Sequence, residues 1–209
     1  MAGRRRADAH PDQLRFDLGD GSKPQGLLDV EGDSVFFAIH PTPNTARHVE
    51  GLAGAYQRRY GVPGNLRPAR VQHISLIGFG KYENLRREVF LAADYAASRV
   101  RAAPFLVAFN RLTNFVQKDG HAAVLRGDEG VFGAHALYKA LGAALTGAGF
   151  ELDARGEFTP HMTLLYGPEE VPEEILEEPV AWTVQEFVLV RSRYGQTRHE
   201  VLGRWPLRG

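Results

Sequence analysis

Two short segments of the chain answer one another. Gln72-His73-Ile74-Ser75-Leu76-Ile77-Gly78-Phe79-Gly80 and Pro160-His161-Met162-Thr163-Leu164-Leu165-Tyr166-Gly167 both read histidine, apolar residue, hydroxyl residue, leucine and aliphatic residue. An aromatic and a glycine follow, with one extra glycine in the first copy. Alternate side chains of a strand share a face, so His73 lies with Ser75 and His161 with Thr163, while Ile74, Leu76, Met162 and Leu164 point the other way. Each segment therefore buries one side and presents an imidazole and a hydroxyl on the other. Two imidazoles that titrate near pH 6.5 can hold opposite protonation states at neutral pH and divide the work of general acid and general base.

Chance is the competing explanation. A chain with eight histidines should contain roughly one His-x-Ser/Thr triplet by accident, and His40-Pro41-Thr42 is a third match. Pro41 breaks strand geometry there and no apolar residue fills the leucine position, so that copy is set aside. A lone triplet is more often a half-exposed strand face. Two extended copies in strand-like surroundings outweigh that reading.

The elements that position the two segments are legible from periodicity. Val35-Phe36-Phe37-Ala38-Ile39, closed by Pro41 and Pro43, predicts a buried strand. Val49, Leu52, Ala53 and Tyr56 predict a helix over 45–60, stopped by Gly61 and Pro63. A strand over 71–79, a helix over 84–100, and strands over 105–115 and 122–126 around Lys118-Asp119-Gly120 follow. A helix over 131–145 ends in Gly147 and Gly149, and 162–166 is strand-like. The last elements read as a hairpin, 182–191 with 198–202, around Tyr194-Gly195-Gln196. Interleaved helices and hairpins predict an α+β fold with largely antiparallel sheets.

The chain is long enough, at 209 residues, for one sizeable core and short for two. Residues 1–32 read as an extension in which only Leu14, Phe16 and Leu18 alternate as a short strand would, and Arg4-Arg5-Arg6 as a solvated terminus. Residues 33–209 read as a single domain. Twenty-five basic residues balance twenty-five acidic ones, which argues against a long nucleic-acid duplex as main partner and leaves room for a small phosphorylated ligand. With no cysteine there is no disulfide, no Cys-ligated metal and no thiol nucleophile, and a cytoplasmic setting fits. No run approaches the roughly 18 apolar residues of a membrane helix, and no signal peptide is visible. A metal hydrolase is disfavoured because there is no His-Glu-x-x-His segment and neither motif contains a carboxylate. Phosphate-loop and dinucleotide fingerprints are also absent.

A doubled His-hydrophobic-Ser/Thr-Leu segment in a chain of this size resembles the 2H phosphoesterase superfamily, and more narrowly the bacterial 2′-5′ RNA ligase or RNA 2′,3′-cyclic phosphodiesterase family. Residues 34–207 carry the likeness, through the 35–39 strand, Phe158-Thr159-Pro160-His161-Met162-Thr163-Leu164, and an ending that runs from Arg191-Ser192 through Gly195 and Leu202 to Arg204-Trp205-Pro206-Leu207. Two departures stand out: Leu165-Tyr166 where the bacterial ligases often carry Ala-Arg, and Ser75 in place of threonine. The resemblance implies a bilobal fold of two pseudo-symmetric antiparallel sheets flanking a central cleft, helices outside. It also implies metal-independent, cofactor-free hydrolysis of 2′,3′-cyclic phosphates to 2′-phosphates, with possible reversal as 2′-5′ ligation. His73 would be the general acid and His161 the general base, with the roles exchanged for ligation. Ser75 and Thr163 would donate hydrogen bonds to non-bridging phosphate oxygens.

Phe79 and Tyr166, at equivalent points of the two copies, are candidates to stack on a base or ribose, though aromatics at strand ends are more often core. Arg191, with Arg67, Arg70, Arg193 and Arg198, is a candidate to bind phosphates. The expected partners are RNA ends or small cyclic-phosphate nucleotides, with no membrane and no obligate protein partner. Two alternatives stay open: a member of the superfamily acting on 2′-5′ oligonucleotides or ADP-ribose cyclic phosphate, and a non-catalytic RNA-end binding module.

Overall fold

The computed structural model describes residues 16–17, 32–82, 85–117, 120–152 and 158–209. The chain begins with β1 (Phe16–Asp17), β2 (Asp33–Ile39), α1 (Pro43–Tyr60), β3 (Asn65–Leu66), a 3₁₀ turn (Ala69–Val71), β4 (Ile74–Tyr82) and α2 (Arg87–Ser98). It continues through β5 (Phe105–Gln117), β6 (Gly120–Arg126), α3 (Phe132–Gly147), β7 (Glu151–Leu152) and β8 (His161–Gly167). The last strands are β9 (Glu174–Val184), β10 (Glu186–Arg193) and β11 (Arg198–Pro206). One sheet runs β11-β10-β2-β4 and the other β3-β8-β6-β5-β9, with β1 and β7 as a separate pair. The pairings are antiparallel, as an interleaved α+β pattern predicts.

Alternation in β2 sets the layers. Val35, Phe37 and Ile39 enter the main core, while Phe36 and Ala38 join Val188 and Val190 in a small cluster on the opposite face. The main core draws on both sheets and all three helices. α1 packs on β8 and β9, α2 and α3 pack on each other, and α3 also reaches β4 and β5. Thr42 caps α1 by accepting from the Thr45 backbone N–H at 3.1 Å. The threonine of His40-Pro41-Thr42 is thus a helix cap, which agrees with setting that triplet aside. Gly61, at φ 63°, ends α1 in the left-handed conformation that glycine adopts without strain. Among the described residues no helix is long and apolar enough to cross a membrane.

Two expectations are corrected. The strand expected over 71–79 begins only at Ile74, because residues 69–71 close a 3₁₀ turn whose Val71 N–H donates to the Pro68 carbonyl at 3.0 Å. The strand expected over 182–191 is two strands in two sheets, since the chain leaves β9 at Val184 and enters β10 at Glu186. The Gln185 carbonyl between them accepts from the Leu207 N–H at 2.7 Å. Of the extension, Phe16–Asp17 pair with Leu152 and Glu151. Arg4, Arg5, Arg6, Leu14 and Leu18 lie outside the described residues, as do Lys118 and Asp119 of the β5–β6 turn.

Asp33 ties the start of β2 to the end of β10. Its carboxylate accepts from the Tyr194 N–H at 3.0 Å, from Arg191 Nε at 2.6 Å and from Arg193 Nη1 at 2.8 Å. The Tyr194 N–H, then the two guanidiniums, hold the Asp33 pKa below its ordinary 3.8 against the opposing effect of burial. A depressed carboxylate pKa stabilises the fold above 3.8, and this contribution fades as the pH falls through the lowered value. Asp33→Asn should therefore melt earlier than the parent at pH 7, with the gap closing as the pH drops below 3.8; thermal melts across pH 2–7 check this.

Candidate active site

The two histidines are held alike. His73 immediately precedes β4, and its Nδ1 lies 2.9 Å from the carbonyl of Val71, two residues upstream. His161 opens β8, and its Nδ1 lies 2.8 Å from the carbonyl of Thr159, again two residues upstream. A carbonyl only accepts, so each Nδ1 carries a hydrogen and each Nε2 is the nitrogen left to exchange a proton. His73 Nε2 is 3.0 Å from Ser75 Oγ, as the shared strand face requires. The surroundings differ. The His73 ring lies 4.9 Å from Phe36 and 5.0 Å from His199, whereas His161 is 4% exposed and meets Phe115 edge-on at 4.8 Å.

Both motif strands bulge just after the hydroxyl. Against β2, Ser75 pairs with Ala38 and Gly78 with Phe36, which leaves one residue too many in β4. Against β6, Thr163 pairs with Val124 and Leu165 with Ala123, which leaves one too many in β8. Each bulge buries two aliphatics in a row, Leu76 with Ile77 and Leu164 with Leu165, and returns the next residue to the hydroxyl's face. That residue is Gly78 in the first copy and Tyr166 in the second, so the copies align without an extra glycine. Phe79, expected as a stacking platform, instead points into the core: it is 3% exposed, with Phe37 and Phe150 each at 5.4 Å. Tyr166 is 42% exposed, with the Arg67 guanidinium 5.7 Å from its ring centre.

The segment before the first motif runs along the second. Asn65 and Leu66 pair with Tyr166 and Leu165, the Arg67 N–H donates to the Leu164 carbonyl at 2.7 Å, and the chain then turns into His73. β4 and β8 are themselves in contact. On the His161 side, Arg126 pairs with His161 across β6 and β8 and lies 5.8 Å over Phe115. Arg191 is not on the hydroxyl's face. It pairs with Val35, on the face opposite Ser75, and is bound to Asp33. Arg193 and Arg198 are likewise ion-paired, to Asp33 and Glu200.

Sequence reasoning missed Phe36, Phe115, Arg126 and His199. Alternation along β2, β5 and β6 could have flagged the first three; His199 has no counterpart in a repeat. Burial, then His73, His40 and Arg67, push the His199 pKa down to about 3, so its imidazole is uncharged at neutral pH. Among the described residues no three His, Asp or Glu side chains are grouped as a metal site requires.

A sequence model described as the 2′-5′ RNA ligase superfamily matches residues 41–196. The chain belongs to this superfamily. Its members are 2H phosphoesterases, an enzymatic group. Solved structures agree on the fold. E. coli LigT complexed with 3′-AMP superposes with a TM-score of 0.72 at 21% identity, covering 86% of this chain and 100% of that one. A structure described as a phosphoesterase gives 0.71 at 22% identity with the same coverage. E. coli LigT complexed with ATP gives 0.69 at 21% identity, again with 86% and 100% covered. No curated protein sequence matches. Superfamily membership accords with the two antiparallel sheets, one holding β4 and the other β8.

Proposed function

We propose that the chain is a metal-independent phosphodiesterase that opens 2′,3′-cyclic phosphate ends of RNA or nucleotides to 2′-phosphates. The observation that carries this is the matched anchoring of His73 and His161 through Nδ1 to a carbonyl two residues upstream, which makes Nε2 the proton-exchanging nitrogen of each ring on a segment that also carries a hydroxyl residue. In the forward direction water attacks phosphorus and the bond to the ribose 3′ oxygen breaks. His161 Nε2 takes the water's proton and His73 Nε2–H protonates the departing 3′ oxygen, each transfer typically contributing about 10²–10⁴-fold. Ser75 and Thr163 hydrogen-bond the non-bridging oxygens. With the 5′ hydroxyl of a second RNA end in place of water, the same attack and the same departure of the 3′ oxygen form a 2′-5′ linkage, and the pair exchanges roles when that linkage is cleaved back to the cyclic phosphate.

Tyr166, exposed and capped by Arg67, is the stacking platform for the nucleobase. Stacking of a base on an aromatic ring is worth about 1–3 kcal/mol, so Tyr166→Ala should raise KM for a cyclic nucleotide about 5–150-fold with kcat little changed. Steady-state kinetics check it. That E. coli LigT has been captured with 3′-AMP supports a nucleotide-sized ligand in this fold.

The reading is tested by incubating the protein with 2′,3′-cyclic nucleotides, RNA carrying a cyclic end, 2′-5′ oligonucleotides and ADP-ribose cyclic phosphate. Opening of the first two to 2′-phosphate ends, unaffected by EDTA and bell-shaped in pH, is expected. Loss of activity with EDTA, a 3′-phosphate product, or binding without turnover would contradict it.

A further inference from the structure

β11 brings a third histidine to the first motif. His199 pairs with Ser192 across β10 and β11, on the face that carries Val190, Phe36 and Ala38. Its ring stands 5.0 Å from that of His73 at 70°, and 5.8 Å from that of Phe36 at 80°. The side-chain Nδ1 of His199 is sealed from solvent and has no hydrogen-bond partner among the described residues, whereas Nε2 is not an orphaned buried atom. Nε2 is therefore the nitrogen left to meet a ligand, on a ring whose centre is 5.0 Å from that of His73. A buried N–H without an acceptor is rarer than an acceptor with an unused lone pair, which favours the tautomer with its hydrogen on Nε2. The matched residues 41–196 stop short of this position.

We propose that His199 is a neutral hydrogen-bond donor of the site, its Nε2–H binding a non-bridging oxygen of the phosphoryl group on which His73 and His161 act. The proposal rests on the phosphodiesterase reading above and adds a substrate contact to it. Neutrality matters because of what surrounds this ring: His73 at the entry to β4, His40 at the end of β2 and Arg67 ahead of the 3₁₀ turn all act on it. A second imidazolium beside His73 would disfavour the protonated His73 that the acid role requires. An uncharged imidazole supplies a donor to the phosphoryl oxygens without that repulsion. It adds a donor at the end of the site that holds His73 and Ser75.

Two substitutions separate a donor from a wall. His199→Phe keeps an aromatic ring against His73 and Phe36 and removes the donor, while His199→Gln loses the ring and keeps a terminal N–H near the Nε2 position. Calorimetric affinity for inorganic phosphate and kcat/KM for a 2′,3′-cyclic nucleotide are measured on both, with melting temperatures to confirm folding. The Phe variant should lose about 10–100-fold in both quantities, and the Gln variant should stay within a few-fold of the parent. A Phe variant that matches the parent, or a Gln variant that falls as far as the Phe variant, overturns the proposal. Phosphate affinity reads the donor even if the wild-type protein turns over no cyclic nucleotide, so failure of the hydrolytic reading is seen separately.

Discussion

His161→Ala should lower kcat for a 2′,3′-cyclic nucleotide by about 10²–10⁴-fold while KM changes little. His161 is 4% exposed and its Nδ1 is committed to the Thr159 carbonyl, so proton traffic in its ring falls to Nε2. His73→Ala should cost a similar factor, because an acid without a base, or a base without an acid, leaves one of the two proton transfers to water. Side chains that act as a unit are not additive, so the double variant should be little worse than the poorer single one. Each motif strand stays anchored by its neighbours, Ile74, Leu76 and Ile77 in β4 and Met162, Leu164 and Leu165 in β8, all within the core. The variants should therefore fold, and circular dichroism melts recorded with the kinetics show it. A loss below tenfold in either single variant contradicts the assigned roles.

Phe79→Ala should cost about 3–5 kcal/mol of stability, the usual toll for emptying a buried phenylalanine site. The ring lies between Phe37 and Phe150, and Phe37 in turn meets Phe187 and Trp205 at 5.8 Å and 5.5 Å. Removing it opens a void between Phe37 and Phe150, too apolar for water to repair. Phe79→Leu, which refills most of the space, should retain the parent's kcat and KM at temperatures where both are folded. Denaturant unfolding and steady-state kinetics on the pair settle the matter. Unchanged stability with a raised KM would return Phe79 to the stacking role.

The paired histidines were legible because a repeat marked them: the same residue types in the same order are hard to obtain by chance twice, and a strand's two-residue period puts imidazole and hydroxyl together. The bulges were not read, because strict alternation was assumed to the end of each motif. The signal was present in the doubled aliphatics Leu76-Ile77 and Leu164-Leu165, which no alternating strand can bury on one side. The same assumption placed Phe79 opposite Tyr166 and hid Gly78 as its true equivalent. At Gln185 the clue was a change of parity, core residues falling at even positions up to Val184 and at Phe187 and Leu189 beyond it. Arg191 carried no local signal, since the carboxylate that binds it is Asp33, remote in sequence and brought alongside by sheet pairing alone. His199 is of the same kind, an imidazole whose meaning comes from the strand pairing that sets it beside His73.

The most direct test of two imidazoles working on one phosphorus is a crystal structure of the protein with a nucleoside 2′-phosphate bound. Nε2 of His73 and Nε2 of His161 should each lie within about 2.6–3.2 Å of oxygens on that phosphorus, with both Nδ1 atoms still on the Val71 and Thr159 carbonyls. A phosphate held by one histidine alone, or bound away from both, would contradict it.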